Sequence, residues 1–308
     1  MEASITLKTV GKAFKDNTIL ADLSFGVEKG STFVILGENS SGKSVVLKIL
    51  VGLIEKDAGM AYINGKDIAT RGEDVRSITG YMPQLIDLDD DLTIIEQLEI
   101  FGRLHGLSKS DSIAHSLHWA EQLNIIDYLK KMPEDLSYGI KRLIQFTRSL
   151  IHNPEVIILD EPTKGLDPHA RLKVWDTLDK LHHEKTIIFT TQNFAEGERY
   201  ADRIAILHNG NLKMDGTLDR LIETTHGLTR YRLSFSSPPV QEFMDKLKKF
   251  PRILRPQIKG TELEFYSRQR KQFFNVLELA LKYELEDIDT SYCRLHDLFV
   301  GLTDGGLE

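Results

Sequence analysis

The run Gly37-Glu38-Asn39-Ser40-Ser41-Gly42-Lys43-Ser44 fits the pattern G-x-x-x-x-G-K-[ST] and directly follows the apolar run Phe33-Val34-Ile35-Leu36. Its two glycines let the backbone curl so that successive N–H groups face phosphate oxygens. Lys43 can bridge the outer phosphates of a nucleotide and the Ser44 hydroxyl can ligate Mg2+. The N-terminus of a helix running through Val45 to Leu53 adds positive potential. A glycine-bearing turn that fits by accident is the competing reading, and the strand before it and helical pattern after it argue against that.

A second run, Val156-Ile157-Ile158-Leu159-Asp160-Glu161, reads as a buried strand ending in two carboxylates. Alone it is only a strand entering a turn. Beside a phosphate loop, Asp160 can hold the metal shell and Glu161 can polarise water, which is what in-line phosphoryl transfer to water needs.

These groups must be positioned by a scaffold, and hydrophobic periodicity supplies its outline. Across residues 1–84, β-rich runs such as Ile5 to Val10, Phe33 to Leu36 and Ala61 to Ile63 alternate with turns, interrupted by a helix near Gly42. From Asp87 to Leu150 apolar residues recur at helical spacing, as in Ile94, Leu98, Phe101 and Leu104. Strand signals return at Val156 to Leu159, Thr186 to Thr190 and Arg203 to Leu207, each beside a helical segment. That alternation predicts an α/β fold with a parallel sheet covered by helices. After Leu228 the order becomes β-α-β-β-α-β, which suggests a small ferredoxin-like α+β domain. The expected division is 1–225, with a helical subdomain at about 87–150, and 229–308.

The 308-residue chain can bury a sizeable core, and 41% hydrophobic and 28% charged residues place it among globular proteins. No apolar run approaches the roughly 20 residues of a membrane span, and Met1 to Thr6 lacks a secretory signal. The lone Cys293 cannot form an internal disulfide. A cytoplasmic location is therefore expected. The net charge of −7 argues against a general nucleic-acid surface. The basic runs at Lys246 to Arg252 and Arg268 to Lys271 read as solvated faces or caps.

Between the phosphate loop and the carboxylate-bearing strand lies Leu136-Ser137-Tyr138-Gly139-Ile140-Lys141-Arg142, and Gly165-Leu166-Asp167 follows Glu161. The order of phosphate loop, Gln84, Leu136 to Gly139, Asp160-Glu161 and Gly165 to Asp167 resembles the nucleotide-binding subunit of ABC transporters, across roughly residues 5 to 220. The resemblance implies a P-loop ATPase using ATP and Mg2+, paired head to tail with a second such domain. It implies an ATP site of Phe14 against adenine, Gly37 to Ser44 with Val45 around phosphate, and Gln84 sensing Mg2+ and water. Ser44, Gln84 and Asp160 would organise the metal. Ser137 and Gly139 would cap the partner's γ-phosphate, and Asp167 would communicate across the dimer. Taken on their own residues, Phe14 could equally be ordinary core, and Gln84 a loop amide capping backbone.

Three positions depart from the family pattern. Gln192 stands where a histidine usually contacts the γ-phosphate, Ser40 where a glycine is common, and Ile140 where glutamine is common. Gln192 can donate a hydrogen bond but cannot relay a proton, so it joins Lys43 and Glu161 in the catalytic set with slowed hydrolysis expected. An ATP-binding regulatory module with little turnover is the alternative. One nucleotide domain without tandem repeats or long coiled coils implies an integral membrane permease as partner, docking on the 87–150 region and keeping the chain peripheral on the cytoplasmic face. Asp87 to Asp91 is either a solvated loop or a contact for that permease. The tail from Tyr292 to Thr303 resembles the ending of ABC-2-type exporter subunits, and also reads as an amphipathic helix of Leu295, Leu298, Phe299 and Leu302.

Overall fold

The computed structural model describes residues 3–15, 17–223, 229–239, 241–247, 250, 253–267, 269–292 and 294–303. Two compact units divide at Thr217 and Leu218, a few residues before the break expected from sequence. The first holds β1 (Ala3–Phe14), β2 (Asn17–Glu28), β3 (Thr32–Leu36), α1 (Lys43–Leu50), β4 (Ala58–Ile63), β5 (Lys66–Asp67), α2 (Gly72–Ile78) and β6 (Thr79–Met82). It continues through α3 (Ile94–Leu104), α4 (Lys109–Gln122), α5 (Tyr138–Leu150), β7 (Val156–Asp160), α6 (Pro168–Leu181), β8 (Thr186–Thr191), α7 (Phe194–Tyr200), β9 (Arg203–His208) and β10 (Asn211–Gly216).

Six of these strands form one sheet in the order β10-β9-β3-β8-β7-β6. All pairings are parallel except that of β9 with β10. Every residue of β3, β7 and β8 is buried, as a central parallel strand covered on both faces requires. That explains their near-continuous apolar runs, such as Phe33 to Leu36 and Val156 to Leu159. A second, antiparallel sheet has the order β2-β1-β4-β5. Leu7, Val10, Leu20 and Ala61 from it pack with Val46, Leu47 and Leu50 of α1 and with Ile35, Ile158 and Ile188 of the parallel sheet. Each such Val, Leu or Ile side chain contributes roughly 1.5–3 kcal/mol through burial, so α1 and the loop before it are held from two sides.

The helical part begins where Thr93 and Glu96 form a capping box at the start of α3. Ser108 caps α4 by accepting from Asp111 N at 3.1 Å, and Ser137 caps α5 by accepting from Ile140 N at 3.4 Å. Asp87 is tied down: Arg148 donates to its backbone oxygen at 2.7 Å and its carboxylate at 3.0 Å. Asp89 to Asp91 stay exposed.

The second unit comprises α8 (Leu218–Glu223), β11 (Thr229–Phe235), α9 (Gln241–Leu247), β12 (Leu254–Lys259), β13 (Glu262–Ser267), α10 (Arg270–Ala280), β14 (Leu285–Tyr292) and α11 (Leu295–Thr303). Its antiparallel sheet has the order β12-β13-β11-β14. With the β-α-β-β-α-β succession, that order is the ferredoxin-like arrangement. Tyr231, Leu233 and Phe235 of β11 alternate with polar residues and pack on Phe243 and Leu247 of α9 and Val276 of α10. Leu295, Leu298 and Phe299 of α11 are buried as the amphipathic reading expects, and Asp297 accepts from Tyr266 Oη at 3.0 Å. Lys246 donates to Glu242 at 2.6 Å. Lys248, Lys249, Arg252, Arg268 and Cys293 lie outside the described residues.

Candidate functional site

The parallel register aligns three strand ends. Leu36 at the end of β3 faces Thr191 of β8, and Asp160 at the end of β7 faces Thr190. Whatever follows these strands converges at their carboxyl edge, the usual ligand crevice of an open α/β sheet. Following them are the phosphate loop, Gln192 and Glu161.

The loop needs both its glycines. A Cβ on Gly37 would sit 2.3 Å from Leu207 O, and Gly42 has φ +105 with only 2.7 Å between a Cβ and Leu20 Cδ2. Ser40 adopts φ +63, a left-handed conformation costing a non-glycine residue roughly 1–2 kcal/mol. The family's usual glycine thus has a conformational reason, and the departure is tolerated. Lys43, 6% exposed, closes the loop by donating to Gly37 O at 2.7 Å and Glu38 O at 2.8 Å.

A cavity of about 250 Å3 is lined by Phe14, Ile19, Asn39, Ser40, Ser41, Gly42, Lys43, Ser44, Val45, Gln84 and Glu161. It therefore gathers most residues expected to meet a nucleotide, while Gly37 and Glu38 shape the loop through Lys43. Phe14 is 46% exposed, which overturns the ordinary-core reading and leaves a ring on the cavity wall. Lys12 Nζ lies 5.2 Å from that ring's centroid. A larger cavity of about 730 Å3, between Ile54 to Lys56 and Ile68 to Arg76, contains none of the expected site residues.

Asp160 is fully buried. Its Oδ1 accepts from Thr190 Oγ1 at 2.6 Å, while Oδ2 has no hydrogen-bond partner. A buried unpaired carboxylate oxygen is costly unless a cation or donor meets it. Among the described residues no group of three or more His, Cys, Asp or Glu could cage a metal. An ion here would take Asp160 and the neutral Ser44 and Gln84, with phosphate oxygens and water completing the shell, as Mg2+ favours.

Glu161 is 7% exposed and has φ +51. Its N–H donates to Thr190 O at 3.2 Å and Thr190 Oγ1 at 3.1 Å. Burial raises its carboxyl above the usual glutamate range, against the lowering effect of the Gln192 hydrogen bond and Lys43. Burial also lowers the Lys43 ammonium, although Glu161 and Asp160 favour its charge. Lys43 Nζ and the Glu161 carboxylate stand 4.0 Å apart, so each is a poorly solvated charge beside a partial counter-charge. Gln192 Nε2 donates to Asn39 Oδ1 at 2.7 Å and to Glu161 Oε1 at 3.1 Å, linking loop and carboxylate.

Ser137, Gly139 and Asp167 do not line the cavity. They lie beside one another: Tyr138 packs on Gly165, where a Cβ would stand 2.6 Å from its ring, and a Cβ on Gly139 would meet Leu166 at 3.9 Å. Gly139 is open enough for a ligand's approach. Asp167 caps α6, accepting from His169 N at 2.9 Å and Ala170 N at 3.0 Å. Ile19, Thr190 and Arg142 escaped sequence reasoning. Thr190 was visible only as a strand terminus, Ile19 carries no signal, and Arg142 was quoted only as the last residue of the run from Leu136, with no role assigned.

A protein-family model described as ABC transporter matches residues 20–164. The Nod factor export ATP-binding protein I of Rhizobium sp. (strain N33) is 33% identical over 310 residues, covering 100% of this chain and 99% of that protein. A solved ATP-binding subunit of an ABC transporter superposes with a TM-score of 0.67 at 29% identity, covering 71% of this chain and 92% of its own. A dimeric ATP-binding cassette in a post-hydrolysis state, bound to ADP and Pi, superposes at 0.65 with 25% identity, covering 70% and 98%. Neither structure's coverage accounts for the whole chain, whereas the Rhizobium relative extends through the second unit. The convergence of phosphate loop, Asp160 and Glu161 at one sheet edge agrees with these likenesses: the chain belongs to the ABC transporter family, as an ATP-binding ATPase subunit.

Proposed function

We propose that this chain hydrolyses Mg-ATP to drive export through a separate integral membrane permease, on whose cytoplasmic side it docks, and that two nucleotide domains close head to tail around the nucleotide. The observation that carries this reading is the placement of Glu161 beside Lys43 and Gln192 at the mouth of the phosphate loop. Phe14 stacks on adenine, the loop amides and Lys43 hold phosphate, and Ser44, Gln84 and Asp160 hold Mg2+, which supplies charge neutralisation at the phosphates. Glu161 accepts a proton from the attacking water, and its burial keeps its affinity for that proton above an exposed glutamate's. Gln192 orients Glu161. Ser137 and Gly139, outside their own chain's cavity, serve the partner domain's γ-phosphate, with Asp167 at the same surface. The permease meets the helical region and the loop leading into it, where Ile100, Leu104 and Leu85 are exposed apolar side chains.

Export is supported by the Rhizobium relative, which is named for it and aligns over the full length. The low-turnover alternative is not favoured, because Glu161, Lys43 and Asp160 are all in place. Phosphate release by the purified full-length chain, with Glu161→Gln as the blank, tests the reading. Turnover in the wild type and a loss of at least about a hundredfold in the variant are expected. Equal rates in the two proteins would remove Glu161 from the role given it here.

A further inference from the structure

Among the described residues, Arg142 is the largest fully buried side chain, at 0% exposure. Its Nη1 donates to Pro83 O at 2.8 Å, Gln84 O at 2.9 Å and Gln145 Oε1 at 3.2 Å. Its Nη2 donates to Glu161 O at 2.7 Å and Asp160 O at 3.4 Å. None of these partners is a carboxylate. A buried guanidinium normally pairs with an acid, so a cation whose fork is spread over carbonyl oxygens of two separate segments is built for geometry rather than charge pairing. Gln145, one turn further along α5, extends the grip by donating to Leu85 O at 2.7 Å.

We infer that Arg142 is a positioning residue for hydrolysis, fixing the Gln84 segment and the Glu161 main chain to the helix that begins at Ser137 and Gly139. The inference rests on the reading of Glu161 as the water-polarising carboxylate. The segment from Pro83 to Leu85 sets where Gln84 stands. The bond to Glu161 O restrains a residue whose φ of +51 its side chain does not favour. Because α5 also carries Gly139, any displacement of that helix moves Gln84 and Glu161 with it. The surface bearing Ser137 and Gly139 and the hydrolytic carboxylate are thereby one mechanical unit.

Lysine in place of Arg142 keeps the charge but cannot span both sets of carbonyls. In the full-length chain, Arg142→Lys is expected to lower kcat by at least about tenfold while KM for ATP stays within about threefold. Combined with Gln84→Ala it is expected to be at most about twofold slower than the worse single variant, because both act through one segment. Should Arg142→Lys fail to fold, Gln145→Met, close to isosteric, is expected to unfold cooperatively at a lower melting temperature, since it leaves the Leu85 carbonyl without its donor, and to lower kcat by about three- to tenfold in the folded protein. A folded Arg142→Lys or Gln145→Met with wild-type kcat, or losses that multiply in the double variant, overturns the inference. Glu161→Gln, measured alongside, separates the two failures. If it retains turnover, the base assignment is wrong; if it is dead while Arg142→Lys is unaffected, only the role of Arg142 is wrong.

Discussion

Gln192 Nε2 donates to Glu161 Oε1 across 3.1 Å while also donating to Asn39 Oδ1 at 2.7 Å. Gln192 therefore touches both the phosphate loop and the carboxylate proposed to polarise water. An amide there can orient Glu161 and hold it toward its charged form, but it cannot take up or release a proton.

Removing that donor leaves the burial of Glu161 less opposed. Gln192→Ala is expected to move the acid limb of the kcat profile to higher pH, since Glu161 already binds its proton above the ordinary value of 4.5 and loses a bond that opposes this. Gln192→His restores a titratable group and is expected to raise neutral-pH turnover several-fold. Steady-state phosphate release between pH 5 and 9 checks both; an unshifted limb and an unchanged His variant would clear Gln192 of limiting hydrolysis.

Lys43 holds the loop as well as being the proposed phosphate ligand. Lys43→Met removes the bonds to Gly37 O and Glu38 O together with the cation. Affinity for Mg-ATP should fall by at least about tenfold, or about 1.4 kcal/mol, and the loss should be visible by calorimetry without hydrolysis. A variant binding as tightly as wild type would mean that the loop amides alone hold the nucleotide.

The phosphate loop, the strand ending in Asp160 and Glu161, and the β-α-β-β-α-β tail were legible because each is a local pattern: spacing, an unbroken apolar run, or alternation. What stayed hidden depends on partners distant in sequence. Strand β2 has two bulged stretches against β1 and a mixed pattern of burial, so its alternation is blurred. Arg142 is indistinguishable from a solvent-facing helical arginine until Pro83, Gln84 and Glu161 are brought to it. Phe14 could not be told from core, since only the fold shows that β1 ends at the cavity. Asp167 was assigned from resemblance to communication between domains, while its N-capping of α6 is a local role that proline at 168 could have announced.

The helical part of the first unit carries an acid-sensitive joint. His152 stacks on His105 with centroids 3.9 Å apart, and its Nε2 meets Thr79 O at 2.9 Å. Burial foremost, then His105 and Lys185, push its pKa down to about 4, against the effect of the Thr79 bond; burial lowers His105 too. Unfolded, each would titrate near the ordinary histidine value of 6.5. A depressed folded pKa gives stability that is present above 6.5 and lost as pH falls toward about 4. For His152 the loss is of order 2–3 kcal/mol. Urea unfolding at pH 7.5 to 4.5 should show a shallower decline for His152→Gln than for the wild type, and parallel declines would refute the assignment.

The most direct measurement is the solution mass of full-length Glu161→Gln with and without Mg-ATP. Blocking hydrolysis should trap two chains around nucleotide, with Ser137 and Gly139 of each over the other's phosphate loop. An ATP-dependent shift from monomer to dimer, lost in Ser137→Arg, is the expected result. A species that binds Mg-ATP at saturation yet remains monomeric would contradict self-pairing of this chain.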